Sequence, residues 1–141
     1  MAIYDSTQTN ESQRSARIYQ DLNLDFQINS ATKDIQKITD IEAVKRSVRN
    51  LINLNHYEKP FHPEIGSNLR AMLFENMTPQ ISHLITKQIE LLIANYEPRA
   101  LLAFVRTTPI LDKNSYAVTI NFQVVNHPEP VVMETFLERL R

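Results

Sequence analysis

The change of period at Asn95-Tyr96-Glu97-Pro98-Arg99 constrains this chain more than any other feature. Upstream, apolar residues recur with the spacing of a helix; downstream they alternate with the spacing of a strand. Pro98 lacks a backbone N–H and disfavours the α region at Glu97, so the helix is expected to end at or just before Glu97. Glu97 and Arg99 then leave in an extended segment on one side of the chain, a carboxylate beside a guanidinium. Taken alone, the triplet reads as a helix stop with a surface ion pair worth little. Arg99 stands at an exposed stop rather than in an apolar stripe, so its truncation is expected to leave the isolated chain folded.

The flanking segments set the fold class. Thr78-Pro79 reads as the N-cap and first residue of the longest helix, whose apolar face runs through Ile81, Leu84, Ile85, Ile89, Leu92, Ile93 and Tyr96. After the stop, Ala100 to about Ile110 reads as a strand, Leu111 to Ser115 as a turn, and Tyr116 to Val125 as a second strand. There Tyr116, Val118, Ile120, Phe122 and Val124 alternate with polar or small residues. Val131 to Leu140 has a mixed period and is assigned to a third strand.

Nearer the start, Thr39 and Glu42 have the spacing of a capping box, opening a helix from about Asp40 to Leu54 with Ile41, Val44, Val48, Leu51 and Ile52 as its stripe. Lys45, Arg46 and Arg49 beside that stripe read as a solvated face. Asn55 to Ser67 is an irregular loop holding Pro60, Phe61, Pro63 and the only glycine, Gly66, which suits a fixed docking surface. Ser67 is expected to cap a short helix through about Glu75. Leu22, Leu24, Phe26 and Ile28 alternate as a short strand or an extended docking segment, and residues 1–17 form a polar arm with too little apolar content to fold alone. The expected architecture is α+β: about three helices on a small antiparallel sheet, in one domain over residues 18–141 after that arm.

Composition removes many function classes. The 141 residues suffice for one core but not for two domains of usual size. A net charge of -1 gives no global attraction to nucleic acid or an anionic membrane, and no apolar run reaches the length of a membrane span. There is no cysteine, and the single glycine leaves no phosphate-binding loop. The histidines, His56, His62, His83 and His127, lack metal-ligand spacing. Glu64, Glu75 and Glu97 are the candidates for a glycosidase carboxylate pair, but no spacing specifies one. Neither catalysis nor a cofactor or metal is expected.

Four segments in order then carry a resemblance: Val44 to Ile52, Lys59-Pro60-Phe61-His62-Pro63-Glu64-Ile65-Gly66, Leu73 to Pro79, and Asn95-Tyr96-Glu97-Pro98-Arg99. From about Tyr19 onward the chain resembles the small baseplate wedge proteins of contractile phage tails, a family shared with the type VI secretion baseplate and known for its Glu-Pro-Arg motif. The resemblance implies a structural subunit near the tail tube, in six copies per ring, assembled in the host cytoplasm into the virion. Its implied partners are other wedge proteins and the tail sheath protein, for which the strand hairpin serves as a template. It also implies that Glu97, Pro98 and Arg99, with Phe61, Pro63, Glu64 and Gly66, meet those partners. The alternatives are a lysozyme-like peptidoglycan hydrolase, a type VI secretion component, or an adaptor outside phage tails. A proline at Asn121 or Gln123 is expected to block an added strand while sparing the apolar face.

Overall fold

The computed structural model describes residues 19–139, and the arm expected over 1–17 lies outside them. The described residues begin with a short antiparallel pair, β1 (Gln20–Leu22) with β2 (Lys37–Thr39). The strand expected from Leu22 to Ile28 does not form as such. Asn23 is buried, its side chain accepts from the N–H of Asp25 at 3.0 Å, and its carbonyl accepts from Phe26 at 3.0 Å. This Asx turn overrides the alternation, and Leu22, Leu24, Phe26 and Ile28 are left more than half exposed.

Helix α1 (Asp40–Asn53) buries Ala43, Val44, Val48 and Ile52. Its start departs from the expected capping box. The Thr39 hydroxyl makes no capping bond, and Glu42 turns to Lys45 at 2.9 Å. The adjoining chain supplies the partners instead: Tyr19 N–H donates to Asp40 Oδ1 at 3.3 Å, and Asp40 N–H donates to Tyr19 O at 2.7 Å. Of the basic flank, Arg46 meets Asp25 at 2.7 Å and Arg49 is exposed, as for a solvated face. Helix α2 (Leu69–Met72) is shorter than expected and seats Leu69 and Leu73 in the core.

Helix α3 (Pro79–Tyr96) has the expected bounds. Thr78 is extended, its Oγ1 accepts from Ile81 N–H at 3.3 Å, and Pro79 occupies the first turn, where no N–H is needed. Thr78→Ala is expected to cost about 1 kcal/mol. A lower urea midpoint with an unchanged slope would register that loss.

The stop at Glu97 delivers the chain into β3 (Ala100–Ile110). A 3-10 turn over Leu111–Lys113 and left-handed Asn114 lead to β4 (Ser115–Val124), and β5 (Pro130–Glu138) confirms the third strand. The sheet is antiparallel in the order β3-β4-β5. Tyr116, Val118, Ile120, Phe122 and Val124 are each no more than 1% exposed and form the inner face, with the apolar stripes of α1 and α3 in the same core. A one-residue slip would turn all five to water, which fixes the register. Because β4 is the central strand, Asn121 and Gln123 lie inside the ladder, paired with Phe104 and Leu101 on one side and Val132 and Pro130 on the other. A proline at either position would break this sheet rather than block an added strand, which corrects the expectation above.

Candidate functional site

The Glu-Pro-Arg triplet is not a surface pair. Glu97 caps the end of α3 with its N–H donating to Ile93 O at 2.9 Å, and its residue is only 2% exposed. Arg99 reaches back with two donors, Nε to Oε1 at 2.5 Å and Nη2 to Oε2 at 2.8 Å. The Ser47 hydroxyl, from α1, donates to Oε2 as well. Burial pushes the Glu97 carboxyl up, but the Arg99 and Ser47 hydrogen bonds and the Arg99 charge outweigh it and hold the group below the usual glutamate range. The Glu97 carboxylate in turn raises the Arg99 guanidinium.

The outer side of Arg99 lies over the Tyr19 ring, 5.5 Å from its centroid, a cation–π contact. The triplet therefore ties four pieces together: the segment at Tyr19, α1 through Ser47, the end of α3, and the start of β3. Pro98 is exposed and Arg99 partly so, which leaves these two facing outward.

The loop motif is joined to this cluster by Tyr96, whose hydroxyl donates to Glu64 O at 2.8 Å. The loop is internally braced. Tyr57 N–H donates to Pro63 O at 3.0 Å, Asn55 donates through both its backbone and side-chain nitrogens to Glu58, and Asn55 bridges Ser67. Gly66, at φ +138°, lies where the returning strand of the loop crosses its start.

On this frame Phe61 is 97% exposed and Tyr57 86% exposed, and both hold positive φ, 66° and 69°. Bulky residues rarely adopt that region, and strain held in place by bracing marks functional loops. Pro63 and Glu64 are exposed beside them. Glu64 accepts from its own backbone N–H and lies 3.1 Å from His62 Nδ1, contacts that lower its carboxyl. Sequence reasoning missed Ser47, Tyr19 and Tyr57. Ser47 gave the only signal, a small hydroxyl beside Val44 and Val48 at the edge of the α1 stripe.

A sheet covered by helices on one face, a braced aromatic loop and a buried ion pair at the helix–strand junction define a small α+β module with open surfaces for contact. The chain belongs to the baseplate wedge protein gp25 family, whose model matches residues 39–129. It is 30% identical over 115 residues to baseplate wedge protein gp25 of Enterobacteria phage T4, covering 82% of this chain and 86% of that protein.

Solved structures share the fold. A candidate tail lysozyme from Geobacter sulfurreducens superposes with a TM-score of 0.65 at 17% identity, covering 71% of this chain and 91% of that one. A chain of the anti-feeding prophage baseplate gives 0.61 at 22% identity, covering 88% of each. A chain of the type VI secretion baseplate complex gives 0.56 at 11% identity, covering 70% of this chain and 93% of that one.

Proposed function

We propose that this chain is a non-enzymatic structural subunit of the baseplate wedge of a contractile tail, placed near the tail tube. Six copies per ring, incorporated in the host cytoplasm, hold other wedge proteins and offer the C-terminal sheet to strands of the first sheath ring. The observation that carries this reading is the sheet itself, in a chain of the wedge family. Helices cover one face, and β3 and β5 end the sheet without a further strand among the described residues. Such an edge accepts an extended segment through main-chain hydrogen bonds.

In this reading the loop is the second contact, with Phe61 as its anchor and Pro63, Glu64 and the Gly66 crossing as its support. Exposed Pro98 and partly exposed Arg99 follow Tyr96, whose hydroxyl is bonded to the same loop. Glu97 is buried, with its carboxylate held by Arg99 and Ser47 and out of reach of a substrate, and this supports the structural subunit over a lysozyme-like hydrolase that would use it.

Phe61→Ala tests the reading, because so exposed a ring contributes nothing to the chain's own core. Thermal stability is expected to stay within about 0.5 kcal/mol of the parent. Incorporation into reconstituted wedges is expected to fall at least about tenfold, as for an aromatic anchor at an interface. Normal incorporation, or clearing of a cell-wall suspension that Glu64→Gln or Glu97→Gln abolishes, would overturn it.

A further inference from the structure

The two edges of the sheet are not equivalent, and the difference selects one of them. Alternate residues of a strand in an antiparallel ladder direct their N–H and C=O towards the partner, and those between direct theirs away. Two bonds fix the phase: Val125 N–H donates to Arg99 O at 3.0 Å, and Arg139 N–H donates to Asn114 O at 3.0 Å. With the observed register, odd-numbered residues of β4 face β3 and even-numbered ones face β5.

On β5 the outward residues are therefore Pro130, Val132, Glu134, Phe136 and Glu138, the last four each carrying an N–H at regular spacing. On β3 they are Ala100, Leu102, Val105, Thr107 and Pro109. That series is broken three times. The Ala100 N–H is taken by Glu97 O at 3.1 Å, the register shifts between Leu102 and Phe104, and Pro109 has no donor. Bulges and prolines are how natural sheets close an edge. A larger cleft does run beside β3, but it lies against α3, which is bound to that strand through Thr86 Oγ1 and Thr107 Oγ1 at 2.9 Å.

A second observation lies under the open edge. Between residues 136–138 of β5 and the helices α1 and α2 is a cleft of about 270 Å³, lined by apolar Ile52, Leu69, Leu73 and Leu137 together with Asn53, Arg70 and Glu138. An edge with regular donors above a partly apolar cleft is the arrangement by which added strands gain affinity from the main chain and selectivity from one side chain.

Resting on the strand-addition reading above, we infer that the sheath segment adds to β5, not β3. Its carbonyls accept from Val132, Glu134, Phe136 and Glu138, and an apolar side chain fills the cleft at Leu69 and Leu73.

Two prolines at outward positions separate the edges, Glu134→Pro on β5 and Thr107→Pro on β3, each in the full chain assembled into baseplates and offered the sheath protein of the same tail. Electron microscopy then counts sheathed baseplates, with thermal melting of each variant as the check on folding. Glu134→Pro is expected to lower sheathing at least about tenfold and Thr107→Pro to stay within about twofold of Thr107→Val, which loses the same side-chain bond to Thr86 but keeps its N–H, because only Glu134→Pro removes a donor that the added strand uses. The reverse result overturns the edge assignment while leaving strand addition standing. Loss in both, with native melting, shows two occupied edges and overturns the exclusive assignment. Normal sheathing in both removes strand addition itself.

Hydrogen exchange on the unmodified chain keeps the question open to test if a variant fails to fold. Sheath binding is expected to protect the amides of Val132, Glu134 and Phe136 and not those of Leu102, Val105 and Thr107. Protection confined to the second set overturns the proposal.

Discussion

Arg99→Ala is expected to destabilise the isolated chain by about 3 kcal/mol, because removing one side of a buried ion pair strands the other. The Glu97 carboxylate would keep the Ser47 hydroxyl and the backbone N–H of residue 99 but lose both guanidinium bonds in a position only 2% exposed. Arg99 itself is partly exposed, which places the effect at the lower end for such pairs. At this chain length the loss corresponds to a melting temperature lower by about 10 °C. This reverses the expectation drawn from sequence, in which Arg99 stood at an exposed helix stop. Arg99→Lys is expected to recover part of the loss, since an ammonium supplies charge but not two parallel donors. An unchanged melting temperature for Arg99→Ala would return the pair to the surface role.

The same pair gives a pH dependence of defined sign. Glu97 ionises below the usual glutamate range in the folded chain, so its contribution is fully present above that range and is lost as pH falls through the lowered value. In Arg99→Ala, burial acts on the carboxyl with only Ser47 and the backbone N–H of residue 99 against it, which shifts the balance towards the protonated form. The stability gap between parent and variant is therefore expected to narrow as the medium is acidified through the carboxylate range. Parallel urea titrations at neutral and acidic pH measure that gap, and a constant gap would mean that the Glu97 charge is not what Arg99 stabilises.

What the sequence made legible follows from the range of the interactions involved. The bounds of α3 come from Thr78, Pro79 and Pro98, whose effects act within one turn, and the alternation of β4 is a local pattern with a strong face preference. The capping box at Thr39 and Glu42 had the right local chemistry and lost to a distant competitor, since Tyr19 reaches Asp40 across 21 positions. The strand at Leu22 to Ile28 failed because one asparagine side chain builds a turn that the hydrophobic period does not register. Among the site residues, the pairing of Glu97 with Arg99 was legible from their spacing, but its burial was not. That depends on Ser47, 50 positions away, whose place at the edge of the α1 stripe does not name its partner, and on the Tyr19 ring. Loop bracing was legible only as a concentration of prolines around a lone glycine, while the αL conformations of Tyr57 and Phe61 run against residue preference.

Gly66→Ala is expected to destabilise the chain by about 4 kcal/mol, from a backbone region closed to alanine together with overpacking. At φ +138° a side chain is strained whatever the space around it, and there is no space. A Cβ would lie 2.6 Å from the carbonyl carbon and oxygen of Asn55 and 2.8 Å from His56 N. All three are backbone atoms, so truncating the Asn55 side chain gives no relief. The crossing must open instead, and it is tied on both sides: Ser67, 1% exposed, donates its N–H to Leu54 O at 2.9 Å, and Leu69 follows in the core. Opening it moves the loop that carries Phe61 and lengthens the Tyr96 bond to Glu64 O. The melting temperature should fall by 10 °C or more, on the order expected for a chain of this size. Hydrogen exchange should rise first at Tyr57, whose N–H is held by Pro63 O within the loop. The Phe61→Ala chain, with the loop intact and only its ring removed, should show neither change. Gly66→Ala at parental stability would mean that the two segments of the loop do not cross as closely as described, and that Phe61 is presented by a looser frame.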